Sequence, residues 1–279
     1  MSTIVIHTPT LTDAQLSRLT DTFGTAPVAQ ANHFRLTSTM PKDALTDACH
    51  SLSQAWQLDL NLLPESFDAQ AVRLLISDMD STLIGIECVD EIADMLGIKP
   101  QVAAITEAAM RGELKFEESL TERVALLEGL ETQALDRVMQ ERLFLNPGAE
   151  AWIDGLKARN IAFALVSGGF TYFTDRLKDR LKLDHTQANV LEVMDDRLTG
   201  RVKGAIVGAE AKATFLTSLC AQYQIDCRQT IAIGDGANDL KMMHAAGLSI
   251  AYHAKPAVQA QADVSLNYGG LDKVLDFLA

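Results

Sequence analysis

Cysteine is scarce in this chain, and its spacing argues against the usual structural uses of the residue. The four cysteines among 279 residues are scattered at positions 49, 88, 220 and 227, and no two of them form a CxxC pair. We therefore predict free thiols in a reducing cytoplasm rather than a disulfide framework or a zinc site.

Long apolar runs are also lacking. No run reaches the ~20 residues that a membrane-spanning helix requires. The first residues, Met1-Ser-Thr-Ile-Val-Ile-His, contain no basic stretch leading into an apolar one, so we predict no signal peptide. These absences predict a soluble, cytoplasmic protein that does not bind a membrane.

Positive charge is in short supply. Lys and Arg together number 24 against 37 Asp and Glu, which gives a formal net charge of -13. This balance argues against general binding to nucleic acid or to anionic membranes, because both need a basic surface. It leaves room for a phosphorylated small molecule, since a few cations or a bound metal can reverse the local field.

The first part of the chain is predicted to be a small α+β unit. A β-branched run at residues 3–7 precedes a helix start at Thr12. Strand candidates at 28–36 and a helical pattern at 41–52 follow, with a further strand candidate at 56–63. We place an accessory domain at residues 1–68, followed by a linker, and find no catalytic set of residues in it.

From Arg73 onward the pattern predicts an α/β domain, at residues 72–279. Continuous apolar runs at 74–77, 161–166, 230–233 and 248–252 are typical of buried strands, and polar turns followed by helical patterns come after most of them. This alternation predicts a mostly parallel sheet between helices. Residues 87–146 have only helical periodicity and are predicted to be a helical insertion after the first strand of this sheet. A hairpin is predicted at 190–202.

Two acidic residues follow the first of these strands. In Asp78-Met-Asp-Ser-Thr, the carboxylates of Asp78 and Asp80 can face one ligand, because residues i and i+2 of an extended chain project to the same side. Close carboxylates repel unless a cation or proton intervenes, which favours a hard metal such as Mg²⁺. The alternative for a lone DxD is a helix N-cap with a solvated neighbour.

Three further motifs fall at strand ends or a helix start. Gly234-Asp-Gly-Ala-Asn-Asp239 supplies a second acidic group, although Gly/Asp turns are common in general. Val166-Ser-Gly-Gly-Phe170 is predicted to be a turn leading into a helix, where a hydroxyl and free N–H groups suit phosphate oxygens. Lys212 opens a predicted helix, and alone it is typical of a surface charge.

In this order, DxDST, SGG, Lys and GDGAND resemble the motifs of the haloacid-dehalogenase superfamily of phosphohydrolases. The resemblance runs from about residue 72 to the C-terminus and implies a Rossmann-like core with a helical cap. It is closest to members that release L-serine from O-phospho-L-serine, the last step of serine biosynthesis. The stretches beginning Asp78-Met-Asp-Ser-Thr-Leu-Ile-Gly-Ile-Glu and Met110-Arg-Gly-Glu-Leu-Lys-Phe-Glu-Glu carry this closer match. Bacterial members often have an ACT-like domain at the N-terminus.

The resemblance implies roles for the acidic residues. Asp78 would be the nucleophile that forms an aspartyl-phosphate. Asp80 would protonate the leaving oxygen and then activate water. Mg²⁺ would be held by the Asp78 carboxylate, the Asp80 backbone carbonyl and Asp235, with Asp239 supporting its waters.

It also implies a substrate site. The phosphoryl oxygens would be bound by Ser167, Gly168 and Lys212, and Asn238 would hold the substrate near the metal. In the cap, Glu87 would pair with the substrate ammonium and Arg123 with its carboxylate. Met110 and Phe116 would form an apolar wall. Without the resemblance, an acidic and a basic residue on helices, such as Glu87 and Arg123, are more typical of a solvated helix face.

Two other functions fit the sequence less well. The first is a phosphatase or phosphotransferase that acts on another small phosphate ester, such as phosphohomoserine. The second is a non-catalytic module that senses amino acids through the N-terminal unit, and intact Asp78 and Asp80 argue against it. The N-terminal unit could also sense serine while the rest of the chain catalyses. The sequence leaves a homodimer open.

Overall fold

The computed structural model describes residues 1–110 and 113–279, without the side chain of Met110. The first 62 residues form a four-stranded antiparallel sheet in the order β2-β3-β1-β4, with two helices. In chain order the elements are β1 (Ser2–Ile6), α1 (Asp13–Phe23), β2 (Val28–Ala29), β3 (Phe34–Ser38), α2 (Lys42–Trp56) and β4 (Leu60–Leu62). Helix α1 begins at a capping box made by Thr12 and Gln15.

The predicted α+β character of this N-terminal unit is confirmed, with one difference at its end. The strand candidate at 56–63 is only three residues long, because α2 continues to Trp56 and ends where Gln57 adopts a left-handed φ of 51°. The boundary at residue 68 and the likeness to an ACT domain stay predictions.

The rest of the chain is built on a seven-stranded sheet in the order β11-β10-β9-β5-β6-β7-β8, between two apolar layers. All neighbours are parallel except β7 and β8, which form the predicted hairpin. Its strands are β5 (Leu74–Ser77), β6 (Ala162–Phe170), β7 (His185–Met194), β8 (Arg197–Lys203), β9 (Thr230–Gly234), β10 (Leu248–Tyr252) and β11 (Val264–Leu266). The expected α/β fold with a mostly parallel sheet is therefore confirmed.

Helices connect these strands and cover both faces of the sheet. They are α7 (Ala149–Ala158), α8 (Thr171–Leu181), α9 (Ala209–Tyr223), α10 (Leu240–Ala245) and α11 (Pro256–Gln259), and a 3₁₀ segment at Leu271–Leu278 ends the chain. Because β5 lies between β9 and β6, the polar segments that follow these three strands meet at one edge of the sheet.

The insertion after β5 consists mainly of helices joined by turns in its described residues. It contains α3 (Cys88–Met95), which begins after its N-cap residue Glu87, α4 (Lys99–Met110), α5 (Phe116–Ala125), α6 (Gln133–Arg137) and a π-helical turn at Val138–Arg142, and we call residues 87–142 the cap. The cap contacts the hairpin: Gly129 N–H donates to Leu198 O at 2.8 Å. In the described part of the chain, no helix is both long and apolar enough to cross a membrane.

Candidate active site

Asp78 lies at the carboxyl end of the central strand β5. Its backbone N–H donates to Ile233 O on β9 at 3.0 Å, so strand pairing extends to this residue and fixes its position. The Asp78 side chain is buried, and its Oδ1 accepts a 2.7 Å hydrogen bond from Met79 N–H. The same oxygen lies 2.7 Å from Nζ of Lys212, whose side chain is fully buried.

Asp80 follows in an irregular turn, where Ser81 adopts a left-handed φ of 57°. The turn directs the Asp80 carboxylate between the cap and the sheet. Its Oδ1 accepts from Cys88 N–H at 2.9 Å, and its Oδ2 accepts from Ser167 Oγ at 3.0 Å. Burial raises the pKa of Asp80, although these hydrogen bonds oppose the shift. A raised pKa favours a carboxyl group that can carry a proton.

Three carboxylates meet beside Lys212. One oxygen each from Asp78, Asp235 and Asp239 lies within 4.8 Å of the others. Asp235 accepts from Thr82 Oγ1 at 3.2 Å, and Asp239 accepts from Gly236 N–H at 3.0 Å. An all-carboxylate donor set of this size suits a hard divalent cation. The Asp80 side chain is not in this group. The expectation from the sequence was that Asp80 binds the metal through its backbone carbonyl.

Among the described residues, Lys212 is the cation that pairs with the carboxylates of this cluster. Burial and the neighbouring Asp239 raise the pKa of Asp78 well above its usual value and that of Asp235 to about 6. Burial disfavours the Lys212 ammonium, but the carboxylates of Asp239 and Asp78 outweigh it and raise the lysine pKa. One ammonium thus lies beside several carboxylates. A bound divalent cation would compensate the negative charge that the ammonium leaves unbalanced.

Ser167 and Gly168 lie within strand β6 rather than in a turn. The prediction of a turn leading into a helix is wrong at this point, because β6 runs on to Phe170 and α8 begins only at Thr171. Pairing with β7 shifts register between Val166 and Phe170, and this irregularity lies beside Asp80. A Cβ at Gly169 would lie 2.7 Å from Asp80 Oδ2, so only glycine permits this approach.

The predicted cap residues border the same edge of the sheet. Phe116 covers Gly168 so closely that a Cβ on the glycine would lie 2.7 Å from Cζ of the ring. Glu87 accepts from Ser81 Oγ at 2.7 Å, and burial and the Asp80 charge raise its pKa to about 7. Burial lowers the pKa of Arg123, whereas Asp90 and Glu87 oppose that shift. The side chain of Met110 is outside the described residues.

Asn238 and Asp239 form a short 3₁₀ turn (Ala237–Asp239) after β9. Asn238 is half-buried there, and Asp239 is fully buried with its Oδ1 2.7 Å from Lys212 Nζ. Lys212 lies in the first turn of α9, as predicted for its position, but its burial is the opposite of the typical surface lysine. The structure therefore brings the strand-end residues together around Asp78.

Sequence reasoning missed three side chains or backbone groups at this edge. Thr82, which binds Asp235, was visible within DxDST but received no role. Gly169 was quoted only as part of a turn. Asn189, which contacts Gly168, lies inside a strand and has no sequence signal of its own.

Comparison with known families agrees with this geometry. The haloacid dehalogenase-like hydrolase family model matches residues 75–244, which include all the motifs described above. The chain belongs to the haloacid dehalogenase-like hydrolases. The first 74 residues, with the N-terminal sheet, lie outside the matched range.

Similar members of the family include phosphatases. A phosphoserine phosphatase from Polaromonas sp. is 52% identical over 226 residues, covering 79% of this chain and 96% of the relative. A solved hydrolase of the family from Salmonella enterica serovar Typhi superposes with a TM-score of 0.89 at 36% identity, covering 100% of this chain and 99% of that one. A solved phospho-aspartyl intermediate analogue of phosphoserine phosphatase has a TM-score of 0.70 at 39% identity, with 75% and 99% covered.

Proposed function

We propose that this hydrolase releases L-serine and phosphate from O-phospho-L-serine, the last step of serine biosynthesis. One observation carries the proposal: Asp78 Oδ1 lies 2.7 Å from Nζ of the buried Lys212, and a carboxylate oxygen of Asp78 lies within 4.8 Å of one from Asp235 and one from Asp239. This arrangement presents a nucleophile, a cation and a metal site to one phosphoryl group. Similarity to phosphoserine phosphatases over most of the chain supports the choice of substrate.

In the first half-reaction, an Asp78 carboxylate oxygen attacks phosphorus in line with the serine oxygen. The new O–P bond gives an aspartyl-phosphate, while the bond from phosphorus to the serine oxygen breaks. Asp80 donates its proton to that oxygen, which leaves as the serine hydroxyl. The raised pKa of Asp80, caused first by burial, suits this role as an acid.

In the second half-reaction, Asp80 is the base. It takes a proton from a water molecule, whose oxygen attacks the aspartyl-phosphate and releases inorganic phosphate. Asp78 is thereby restored as a carboxylate, and Asp80 again holds a proton. Ser167, Gly168 and Lys212 bind the phosphoryl oxygens and stabilise the charge that develops on them in both steps.

We propose Mg²⁺ as the metal ion. The Asp78 carboxylate, the Asp80 carbonyl and Asp235 would hold it, with Asp239 behind them, because carboxylate and carbonyl oxygens are what Mg²⁺ prefers. When bound, the ion supplies positive charge that offsets the repulsion between the phosphate and the carboxylates. The three-carboxylate cluster of the structure supports this choice of a hard cation.

The cap is proposed to select an amino acid ester. Glu87 pairs with the substrate ammonium, and the planar guanidinium of Arg123 binds its carboxylate through two parallel hydrogen bonds. Asn238 orients the substrate, and Phe116 and Met110 exclude water. Support comes from the charges of Asp90, Glu87 and Asp80, which all act on the Arg123 guanidinium.

We propose a cytoplasmic setting for the enzyme. All four cysteines are free, which supports a cytoplasmic location. We expect a small-molecule substrate and no nucleic-acid partner. A homodimer stays a prediction that light scattering of the purified chain tests.

The decisive experiment is a phosphate-release panel on the full chain, with and without Mg²⁺. We expect turnover of O-phospho-L-serine that requires Mg²⁺, and much slower turnover of phosphohomoserine or of an ester without the ammonium or carboxylate. Faster turnover of phosphohomoserine would move the proposal to the alternative ester. Absence of turnover with every ester would leave the non-catalytic sensor.

An Asp78→Asn variant tests the nucleophile in the same assay. It should retain less than ~10⁻³ of the wild-type kcat, because an amide oxygen does not displace the serine oxygen. Asp47→Asn, a change on the exposed surface of α2, is the matched control and should leave kcat unaltered. Full activity of Asp78→Asn would end the assignment.

A further inference from the structure

Asn189 is a buried amide that the reaction described above does not use. It lies on β7, is 1% exposed, and pairs in register with Phe170 immediately after the irregularity in β6. A buried amide needs partners for its donors and its acceptor, because an unsatisfied polar group in the interior is costly. Both functions of Asn189 are satisfied by backbone groups of segments that carry proposed phosphate ligands.

The Asn189 donor orients the serine–glycine segment. Nδ2 donates to Gly168 O at 2.8 Å, and the N–H of the same peptide unit, which belongs to Gly169, donates to Ser167 Oγ at 2.7 Å. The peptide plane is therefore held at both ends. Ser167 Oγ in turn donates to Asp80 Oδ2 at 3.0 Å, so the chain of hydrogen bonds reaches the proposed acid.

The Asn189 acceptor fixes the start of the helix that carries Lys212. Oδ1 accepts from Val207 N–H at 2.8 Å, one residue before Gly208. Gly208 O accepts the N–H of Lys212 at 3.0 Å, in the first turn of α9. One side chain thus links the two segments whose donors must converge on one phosphoryl group.

We propose that Asn189 is a positioning residue for phosphoryl transfer. It holds Ser167 and Gly168 in register with Lys212 without touching the substrate. The proposal rests on the proposed function, because it assumes that these groups bind the phosphoryl oxygens. Its expected signature is a loss in kcat rather than in substrate affinity, since Glu87 and Arg123 bind the other end of the substrate.

The test uses two variants of the full chain, Asn189→Ala and Asn189→Asp. The alanine variant loses both bonds. The aspartate variant keeps the volume and the acceptor for Val207 N–H, but its carboxylate cannot donate to Gly168 O. We measure kcat and KM for O-phospho-L-serine and the inhibition constant of orthovanadate, which occupies the phosphoryl site without the amino acid part.

The expected losses follow from misplaced donors. We expect kcat to fall by about 10²-fold in Asn189→Ala and by at least ~10-fold in Asn189→Asp, because a shift of ~1 Å is sufficient for such a loss. KM should stay within about threefold, and orthovanadate should bind about 10-fold more weakly, since both phosphate-binding segments move. If the alanine variant does not fold, the aspartate variant decides.

Asn61→Ala is the matched control. Asn61 is also a buried amide, and it accepts from Ser265 N–H and donates to Ser265 O, both at 2.9 Å, at the junction with the N-terminal unit. The Asn61→Ala substitution should lower the unfolding temperature but leave kcat and orthovanadate inhibition as in wild type.

The outcomes separate this proposal from the proposed function. A wild-type chain that does not hydrolyse O-phospho-L-serine contradicts the function itself. If wild type is active, the positioning role is overturned in either of two ways: Asn189 variants that keep kcat and orthovanadate inhibition within about threefold, or an equal loss of kcat in Asn61→Ala.

Discussion

Lys212 and Asp78 form a buried ion pair, with Nζ and Oδ1 2.7 Å apart. The ammonium also lies 2.7 Å from Asp239, so it holds the proposed nucleophile and an acid of the neighbouring strand end together. Burial of a lysine is favourable only where carboxylates compensate its charge, as they do here. The pair therefore joins β5, α9 and the segment after β9 at the point where the phosphoryl group is proposed to bind.

Replacing this lysine should damage both catalysis and the cluster. We expect Lys212→Met to lower kcat by about 10²–10³-fold, because the transition-state charge loses a fixed cation. Without Mg²⁺ its unfolding temperature should fall, since Asp78 and Asp239 are left without their cation, and adding Mg²⁺ should restore part of it. Steady-state kinetics and thermal unfolding with and without Mg²⁺ measure the two effects.

Lys241→Met is the control for this change. Lys241 pairs with Glu210 on the surface, and surface ion pairs contribute little to stability. Its kcat and unfolding temperature should match wild type. A Lys212→Met enzyme with more than about a tenth of wild-type kcat would contradict a phosphate-binding role for the lysine.

The pH dependence of the reaction should reflect Glu87. Its pKa of about 7 means that its carboxyl takes up a proton as pH falls through 7, and the neutral form no longer attracts the substrate ammonium. We expect kcat/KM to fall by up to ~10-fold per pH unit below 7, while kcat falls less, because kcat/KM reports groups of the free enzyme. Rate measurements from pH 5.5 to 8.5, a range of about three units around that pKa, test this.

A Glu87→Gln variant separates this effect from the substrate's own titration. Its kcat/KM should be low but flat near pH 7, leaving only the decline at pH ~6 that belongs to the phosphate monoester. Glu122→Gln, an exposed glutamate on the cap helix α5, should keep the wild-type profile. A Glu87→Gln profile identical to wild type would assign the pH dependence to another group.

Much of the site could be predicted because it is built from strand ends. Buried apolar runs followed by Asp78 and Asp235 predicted that these acids meet at one edge of a parallel sheet, and they do, within 4.8 Å together with Asp239. The roles assigned to these residues stay predictions. The strand order that brings them together depends on tertiary packing and has no local signal.

The errors and omissions also have physical reasons. Ser167-Gly168-Gly169 has the composition of a turn, but its backbone stays extended within β6. Its glycines allow close approach to Asp80 and Phe116 and do not reverse the chain direction. Asn189 lies next to a register shift between two strands, which no sequence pattern displays. Burial of Lys212 depends on three elements meeting, so the residue alone is typical of a surface charge and only the family resemblance assigned it to the site.

The two glycines beside the proposed acid should respond differently to alanine. In Gly169→Ala the new methyl group meets Asp80 Oδ2 at 2.7 Å and Ser167 Oγ at 3.0 Å, so the acid must move. We expect kcat to fall by about 10²-fold with a smaller change in KM. In Gly168→Ala the methyl group meets the ring of Phe116, which belongs to the cap and can rotate away, so KM should rise more than kcat falls.

Steady-state kinetics of both variants check this contrast. The unfolding temperature of each variant provides a control, because an unfolded fraction lowers the apparent kcat and leaves KM unaltered, which would imitate the loss expected for Gly169→Ala. Equal losses of kcat in the two variants, with unaltered KM, would contradict the different surroundings given to the two glycines.

The N-terminal unit should contribute to the stability of the whole chain through Asp59. This residue is 2% exposed, and its carboxylate accepts backbone N–H groups of Asn267, Tyr268 and Gly269 at 2.8, 3.1 and 2.9 Å, in the loop after β11. In Asp59→Asn the side-chain amide has one acceptor oxygen instead of two. Its NH₂ group then faces backbone N–H groups, which are also donors. We expect a loss of about 3 kcal/mol in unfolding free energy.

That loss should lower the unfolding temperature by roughly 5–10 °C, measured by calorimetry. Asp47→Asn, on the exposed side of α2, is the control and should stay within about 0.5 kcal/mol of wild type. Below the unfolding transition, kcat of Asp59→Asn should equal wild type, because the described partners of the Asp59 carboxylate are backbone groups of the loop after β11 and not of the segments around Asp78. An unchanged unfolding temperature would mean that the two sheets are held together by their other contacts, such as His7 Nδ1 with Asp276 Oδ2 at 3.0 Å.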